Sequence, residues 1–163
     1  MATLRDAVGS SVELMVDCHS FFDVPVARSV AERLERYKLG WYEEPVAPER
    51  TGRHSGNPEV DPATDGWWRF CSAGGFAPLC RRHAVDVIMP DVKHCGGLLE
   101  MTRIAAMAKA DEVSVAPPNP SGPVSTAATV QVCTGINNFR ILELQWGEVS
   151  WRSDMVTPPE HLL

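Results

Sequence analysis

The sequence predicts a parallel α/β fold, read as a piece of a β/α barrel, on three observations. Short apolar runs alternate with stretches of helical periodicity. Unusual polar residues collect where the apolar runs stop. No glycine-rich phosphate turn follows an early strand, which argues against an open doubly wound sheet.

The elements follow in order. "VELMVD" (12–17) is a short apolar run ending in a carboxylate, and "VPVARSVAERLERY" (24–37) then places Val26, Val30, Ala31 and Leu34 at helical spacing. "LGWYEEP" (39–45) reads as a second strand closed by a proline, which cannot continue a ladder. "AVDVIMPD" (84–91) is a third, followed by a Gly-Gly turn and the helix "LLEMTRIAAMAKA" (98–110). "EVSVAPP" (112–118) precedes a small-residue helix from about 122 to 134, and "FRILEL" (139–144) reads as a last strand.

At 163 residues the chain is long enough for one ordinary domain and too short for two comfortable ones. A hydrophobic content of 44% with 22% charged residues is that of a soluble globular chain. The formal charge of -6 argues against a nucleic-acid partner, whose electrostatic footprint is basic. No run reaches the roughly 18 apolar residues of a membrane span, and "MATLRDAVGSS" lacks the apolar core of a signal peptide, so no membrane partner and a cytoplasmic location are expected. The five cysteines are scattered and include no CxxC pair, which suggests reduced, mostly structural thiols.

In parallel α/β folds the chemistry gathers at the carboxyl ends of the strands. Asp17 with His19, Glu43 with Glu44, Asp91 with Lys93, "PPN" (117–119) and Glu143 all fall there. Residues i and i+2 of a strand point the same way, so Asp17 and His19 aim at one spot. Carboxylates gathered on one rim repel one another unless a cation neutralises them, and an all-oxygen site suits Mg²⁺. Asp17 and Glu43 are the two best candidates as ligands. An acid after an apolar run is also a common turn or helix-cap residue, and a rim histidine can simply be bonded locally.

The ordered combination "VDCH", "EEP", "DVIMPDVKHCGG" and "APPNPSGP" resembles the barrel domain of the enolase superfamily, mandelate racemase subgroup, over roughly 1–48 and 75–152. Within it the chain is most similar to acid-sugar dehydratases of the galactonate dehydratase type. The resemblance implies one Mg²⁺ held by acids on three successive barrel strands, with Asp17 as the first ligand and Glu43 as the second. It implies His19 as general acid for a departing hydroxide, Asp91 as the acid that orients a histidine base, and Glu143 as a substrate-binding acid. The implied reaction is Mg²⁺-dependent dehydration of a sugar acid, begun by removing the proton next to its carboxylate. A racemase or epimerase is the alternative within the family.

Several departures accompany these matches. The seventh-strand motif reads "APPN", so Pro118 stands where the resemblance places the histidine base, and proline cannot transfer a proton. The step from Asp17 to Glu43 is 26 residues, and a second such step lands on Arg69 rather than a third acid. The segment 49–74 lacks the apolar helix and strand expected there, and reads either as a divergent loop or as a short out-of-frame translation. Glu59, Asp61 and Asp65 offer replacement carboxylates, but the sequence alone positions none of them. The resemblance begins at the third barrel strand, so an incomplete barrel of five recognisable strands is expected, without the first two strands or the capping domain. The tail 153–163 would start the return to that domain. Such a chain would be an inactive fragment, or a non-catalytic remnant that pairs with itself as a homo-oligomer through open strand edges. If the frame has slipped, another frame of the same DNA encodes an apolar strand ending in Glu or Asp near position 69. Translating all three frames checks this, and stops or patternless sequence in the other two would contradict it.

Overall fold

The computed structural model describes residues 1–47, the backbone of 64 and 65, and residues 72–145, 147 and 149–160. The chain forms two compact units, 1–66 with 84–86 and 67–83 with 87–163. Each is built from helices and parallel strands, as the strand–helix alternation predicts.

The first unit opens with helix α1 (Ala2–Val8), which the sequence pattern did not announce. It buries no residue, and Arg5 anchors it through hydrogen bonds to the carbonyls of Gly9, Val12, Tyr37 and Lys38. Strand β1 (Met15–Asp17) is followed by α2 (Val24–Leu34) and one turn of 3₁₀ helix over Glu35–Tyr37, close to the expected 24–37. The start of α2 is fixed locally: Asp23 Oδ1 accepts the Val26 N–H at 3.0 Å and Pro25 occupies the first turn, both favourable at a helix N-terminus. Strand β2 (Trp41–Glu43) then runs parallel to β1. Gly40 precedes that strand where a Cβ would run into the Glu13 side chain, so glycine lets the two segments approach without that side chain moving. Tyr42 is buried, and its hydroxyl donates to the Ala27 carbonyl of α2 at 3.2 Å, which fastens helix to sheet.

A third strand, β3 (Thr64–Asp65), pairs in parallel with β2, giving the order β1-β2-β3. This corrects the reading of 49–74 as lacking a strand. Two polar residues carry no hydrophobic pattern, and only the backbone pairing reveals them. The rest of that reading, with Glu59, Asp61 and Arg69, lies outside the described residues.

In the second unit, α3 (Ala73–Arg81) packs on α4 (Leu98–Ala110), while β4 (Val87–Ile88) pairs with β5 (Ser114–Val115). Phe76, Ile88, Met101, Ile104 and Val115 are fully buried and make this core. Helix α5 (Pro123–Gly135) begins on a proline and ends at the expected place. The predicted strand 139–144 does not form a ladder: Phe139 alone bridges Val115. Its backbone still follows β5, with the Arg140 N–H on the Val115 carbonyl at 2.9 Å and the Glu143 N–H on the Pro117 carbonyl at 3.1 Å. Pro117 and Pro118 have no N–H to return, which stops the alternating bonds of a strand pair from extending. Asn138 tethers the run by donating to the carbonyls of Ala105 and Val113.

Among the described residues this unit has three cysteines, all buried, and burial pushes each thiol from the ordinary 9.0 up to about 11 for Cys80, Cys95 and Cys133. A thiol with a raised folded pKa holds its proton more tightly when folded. Its contribution to stability is therefore whole below pH 9 and lost as pH rises through about 11. Urea midpoints measured across that window should fall, and fall less in a variant with all three cysteines replaced by alanine. Equal slopes for the two proteins would contradict this.

Candidate active site

The register of the first unit sets the site. Asp17 pairs with Glu43 across β1 and β2, and Glu43 pairs with Asp65 across β2 and β3. Parallel neighbours lie about 4.8 Å apart, so three acids end three adjacent strands at one level. Because side chains alternate along a strand, the paired Asp17 and Glu43 share one face. Sequence reasoning found Asp17 and Glu43 from their strand-end positions. It could not place Asp65, because no spacing rule links it to Glu43.

The carboxylate of Asp17 is already engaged by its neighbour. Its Oδ1 accepts the His19 backbone N–H at 2.9 Å, and its Oδ2 lies 2.9 Å from His19 Nδ1. The predicted convergence of Asp17 and His19 is thus formed, though through a turn rather than a continued strand: His19 and Ser20 have φ of 46° and 60°. Glu44, just past β2, has φ of 38° and is buried. Left-handed backbone at non-glycine residues costs about 1 kcal/mol each, and persists where surroundings enforce it. Here hydrogen bonds from Cys18 N–H to the Glu43 carbonyl and from Phe22 N–H to the Pro45 carbonyl hold the two strand-end loops together. Glu43 Oε2 accepts the indole N–H of Trp41 at 3.3 Å, a second orienting contact between residues i and i+2. Cys18 is turned the other way, where burial raises its thiol pKa and Tyr42 is its hydrogen-bond partner.

At the end of β4 in the second unit, Asp91 is buried. Its Oδ1 accepts the Lys93 N–H at 2.8 Å, its Oδ2 lies 3.2 Å from Lys93 Nζ, and His94 Nε2 stands 3.9 Å from the same oxygen. Lys93 thus closes a charge pair on a buried carboxylate. The signal was the short Asp-x-Lys spacing after a strand, which lets a long cationic side chain fold back. Pro118 is buried beyond β5, and Asn119 beside it donates from Nδ2 to Thr126 Oγ1 at 2.8 Å. Glu143 is exposed, and its backbone N–H joins it to Pro117.

Among the described residues no three His, Cys, Asp or Glu side chains form a group that could hold a metal ion. Asp17 and Glu43 nevertheless offer the donor chemistry of a hard cation, two carboxylates on one face, and Mg²⁺ commonly takes only one or two carboxylates and completes its shell with water and substrate. Asp17 can serve His19 and a cation together, since a carboxylate has about four lone-pair positions. No helix among the described residues is long and apolar enough to cross a membrane.

Acids and a histidine at the ends of parallel strands lie where β/α folds gather their functional groups. The chain belongs to the enolase C-terminal domain-like family, whose model matches residues 1–162. It is 32% identical over 158 residues to a D-xylonate dehydratase of Haloferax volcanii, covering 94% of this chain and 37% of that protein. It is 33% identical over 135 residues to a D-galactonate dehydratase of Ralstonia pickettii, covering 81% and 35%. Among solved structures it matches a mandelate racemase/muconate lactonizing enzyme-like protein from Rubrobacter xylanophilus with a TM-score of 0.86 and 36% identity, over 94% of this chain and 39% of that one. It also matches an enolase from Agrobacterium radiobacter bound to Na and L-malate, with a TM-score of 0.80 and 34% identity, over 88% and 37%. The chain thus spans little more than a third of the length of the relatives it matches.

Proposed function

We propose that this chain carries part of the site of a Mg²⁺-dependent sugar-acid dehydratase, and that the isolated 163-residue polypeptide does not complete the reaction. The observation that carries the reading is the register of Asp17 with Glu43, with His19 locked onto Asp17. Its homology to dehydratases of D-xylonate and D-galactonate supports a sugar acid as substrate.

In this reading Asp17 and Glu43 hold the cation, and Asp65, level with Glu43 on the next strand, is the third acid in place of the residue expected at Arg69. Bound Mg²⁺ would supply positive charge to offset the charge that develops on the substrate carboxylate. His19, its Nδ1 held by Asp17, keeps Nε2 as the nitrogen that hands a proton to the departing hydroxide. In the complete reaction a base takes the proton next to the carboxylate, the electrons of that C–H bond expel the hydroxide, the proton from His19 turns it into water, and the enol left behind becomes a keto acid. By the family resemblance Glu143 would bind a substrate hydroxyl and Asp91 would orient a base. At that base position stands Pro118, which has no basic group to accept a proton, while Asp91 is paired with Lys93.

General acid–base catalysis contributes about 10²- to 10⁴-fold, so the lost base alone removes most turnover. No dehydration of a panel of C5 and C6 sugar acids is expected from the purified chain at high Mg²⁺, and Pro118→His alone should not restore it. Turnover of any panel member that disappears on His19→Ala would overturn the inactive reading and leave the lyase reading standing.

Metal binding is a separate prediction. Calorimetric titration without substrate should give Mg²⁺ affinity no tighter than about millimolar, because Mg²⁺ sheds its waters reluctantly and the rim carboxylates alone offer it no substrate oxygens. Asp65→Asn should weaken it further, as should Asp17→Asn. An affinity unmoved by Asp65→Asn would exclude Asp65 as the third acid, and a micromolar site lost on Asp17→Asn would show an intact centre.

A further inference from the structure

The mechanism leaves residues 152–160 without a role, yet Arg152 and Glu160 anchor a dense side-chain network among the described residues of the second unit. Arg152 donates from Nε to Glu160 Oε2 at 2.7 Å and from Nη2 to Oε1 at 3.2 Å. The same guanidinium donates from Nη1 to the Ser121 carbonyl and from Nη2 to Thr126 Oγ1 at 2.7 Å. Both partners of the ion pair are largely buried, at 18% and 12% exposure, so this contact is not the loose, screened pair of a protein surface. Met155 lies over Gly122, its Cε 3.4 Å from where a Cβ would stand.

Thr126 shows what the arginine holds. Its hydroxyl accepts from Asn119 Nδ2 at 2.8 Å and from Arg152 Nη2 at 2.7 Å, and donates to the Gly122 carbonyl at 3.3 Å. Both lone pairs and the proton are used, and the two donors fix which way the proton points. Asn119 is wholly buried and its Oδ1 has no partner, so Thr126 is the side-chain contact that seats it. The Ser121 carbonyl is held by the same guanidinium. A lysine could keep the charge pair with Glu160, but a single ammonium cannot reproduce a fork aimed at three partners.

We infer that Arg152 is a positioning residue for the strand-end loop 117–122, and that residues 152–160 form a strap whose removal frees that loop without unfolding the unit. The inference rests on the proposed function only in that this loop, carrying Pro118 and Asn119, is taken to border the substrate. Its test needs no turnover, so the two fail separately.

Ser121 offers the reporter. Its Oγ is buried and partnerless while only its carbonyl serves the strap, so Ser121→Cys places a buried thiol in the loop and leaves the network intact. In that background, alkylation by iodoacetamide is followed peptide by peptide on the full chain, with the buried Cys95 as the control for global unfolding. Arg152→Met should speed labelling of the introduced thiol by roughly tenfold and leave Cys95 unchanged. Arg152→Lys should give nearly the same rise, since charge without the fork does not hold the loop. A rate within about twofold of the parent in Arg152→Met, or full protection in Arg152→Lys, overturns the inference. If Arg152→Met exposes Cys95 as well, Thr126→Val decides: a rise confined to the introduced thiol supports the strap. No rise, or a rise shared with Cys95, overturns it, because the contacts would then be irrelevant to the loop or would hold the whole unit.

Discussion

The parallel, in-register pairing of β1 with β2 is the constraint on which the site depends. Once Met15 is opposite Trp41, a period-two backbone leaves no freedom: Asp17 must face Glu43 at the last rung. A slip of one residue would pair Asp17 with Tyr42 or Glu44 and turn one of the two acids to the other face. The register is guarded at its entrance, where Gly40 admits Glu13, and beside it, where Tyr42 is tied to α2. Beyond the last rung the loops carrying His19 and Glu44 adopt left-handed backbone and bond to each other, which converts two strand ends into one surface.

Charge then decides what that surface can do. Acids ending adjacent strands repel, and the described contacts relieve this only in part. His19 answers Asp17 and the Trp41 indole answers Glu43. In the second unit the buried Asp91 is answered by Lys93, a full cation from its own loop. The contrast is chemical: Asp91 already has a fixed counter-charge, while Asp17 and Glu43 have partners compatible with a further cation. Arg152 shows the same logic in the tail, where one guanidinium satisfies a carboxylate, a carbonyl and a hydroxyl together.

Much of this was legible in the sequence where local rules dominate. Helix α4 is read with both ends correct, because its apolar positions recur at helical spacing over thirteen residues. Asp17, His19 and Glu43 were found because apolar runs stop there. Legibility failed where tertiary pairing overrides local pattern. Thr64 and Asp65 form a strand with no apolar residue to announce it, and the run 139–144, apolar enough to look like a strand, meets two prolines of β5's extension and makes a single bridge. Helix α1 was missed because it buries nothing and is held by one arginine reaching carbonyls more than thirty residues away.

The central claim is that the ends of β1 and β2 make one cation-binding surface, and paramagnetic mapping with Mn²⁺ in place of Mg²⁺ tests it most directly. Amide resonances of residues 17–20 and 43–45 should broaden first and together, and Asp17→Asn should abolish both sets at once. Broadening centred on Asp91, or confined to one of the two strand ends, would contradict the account.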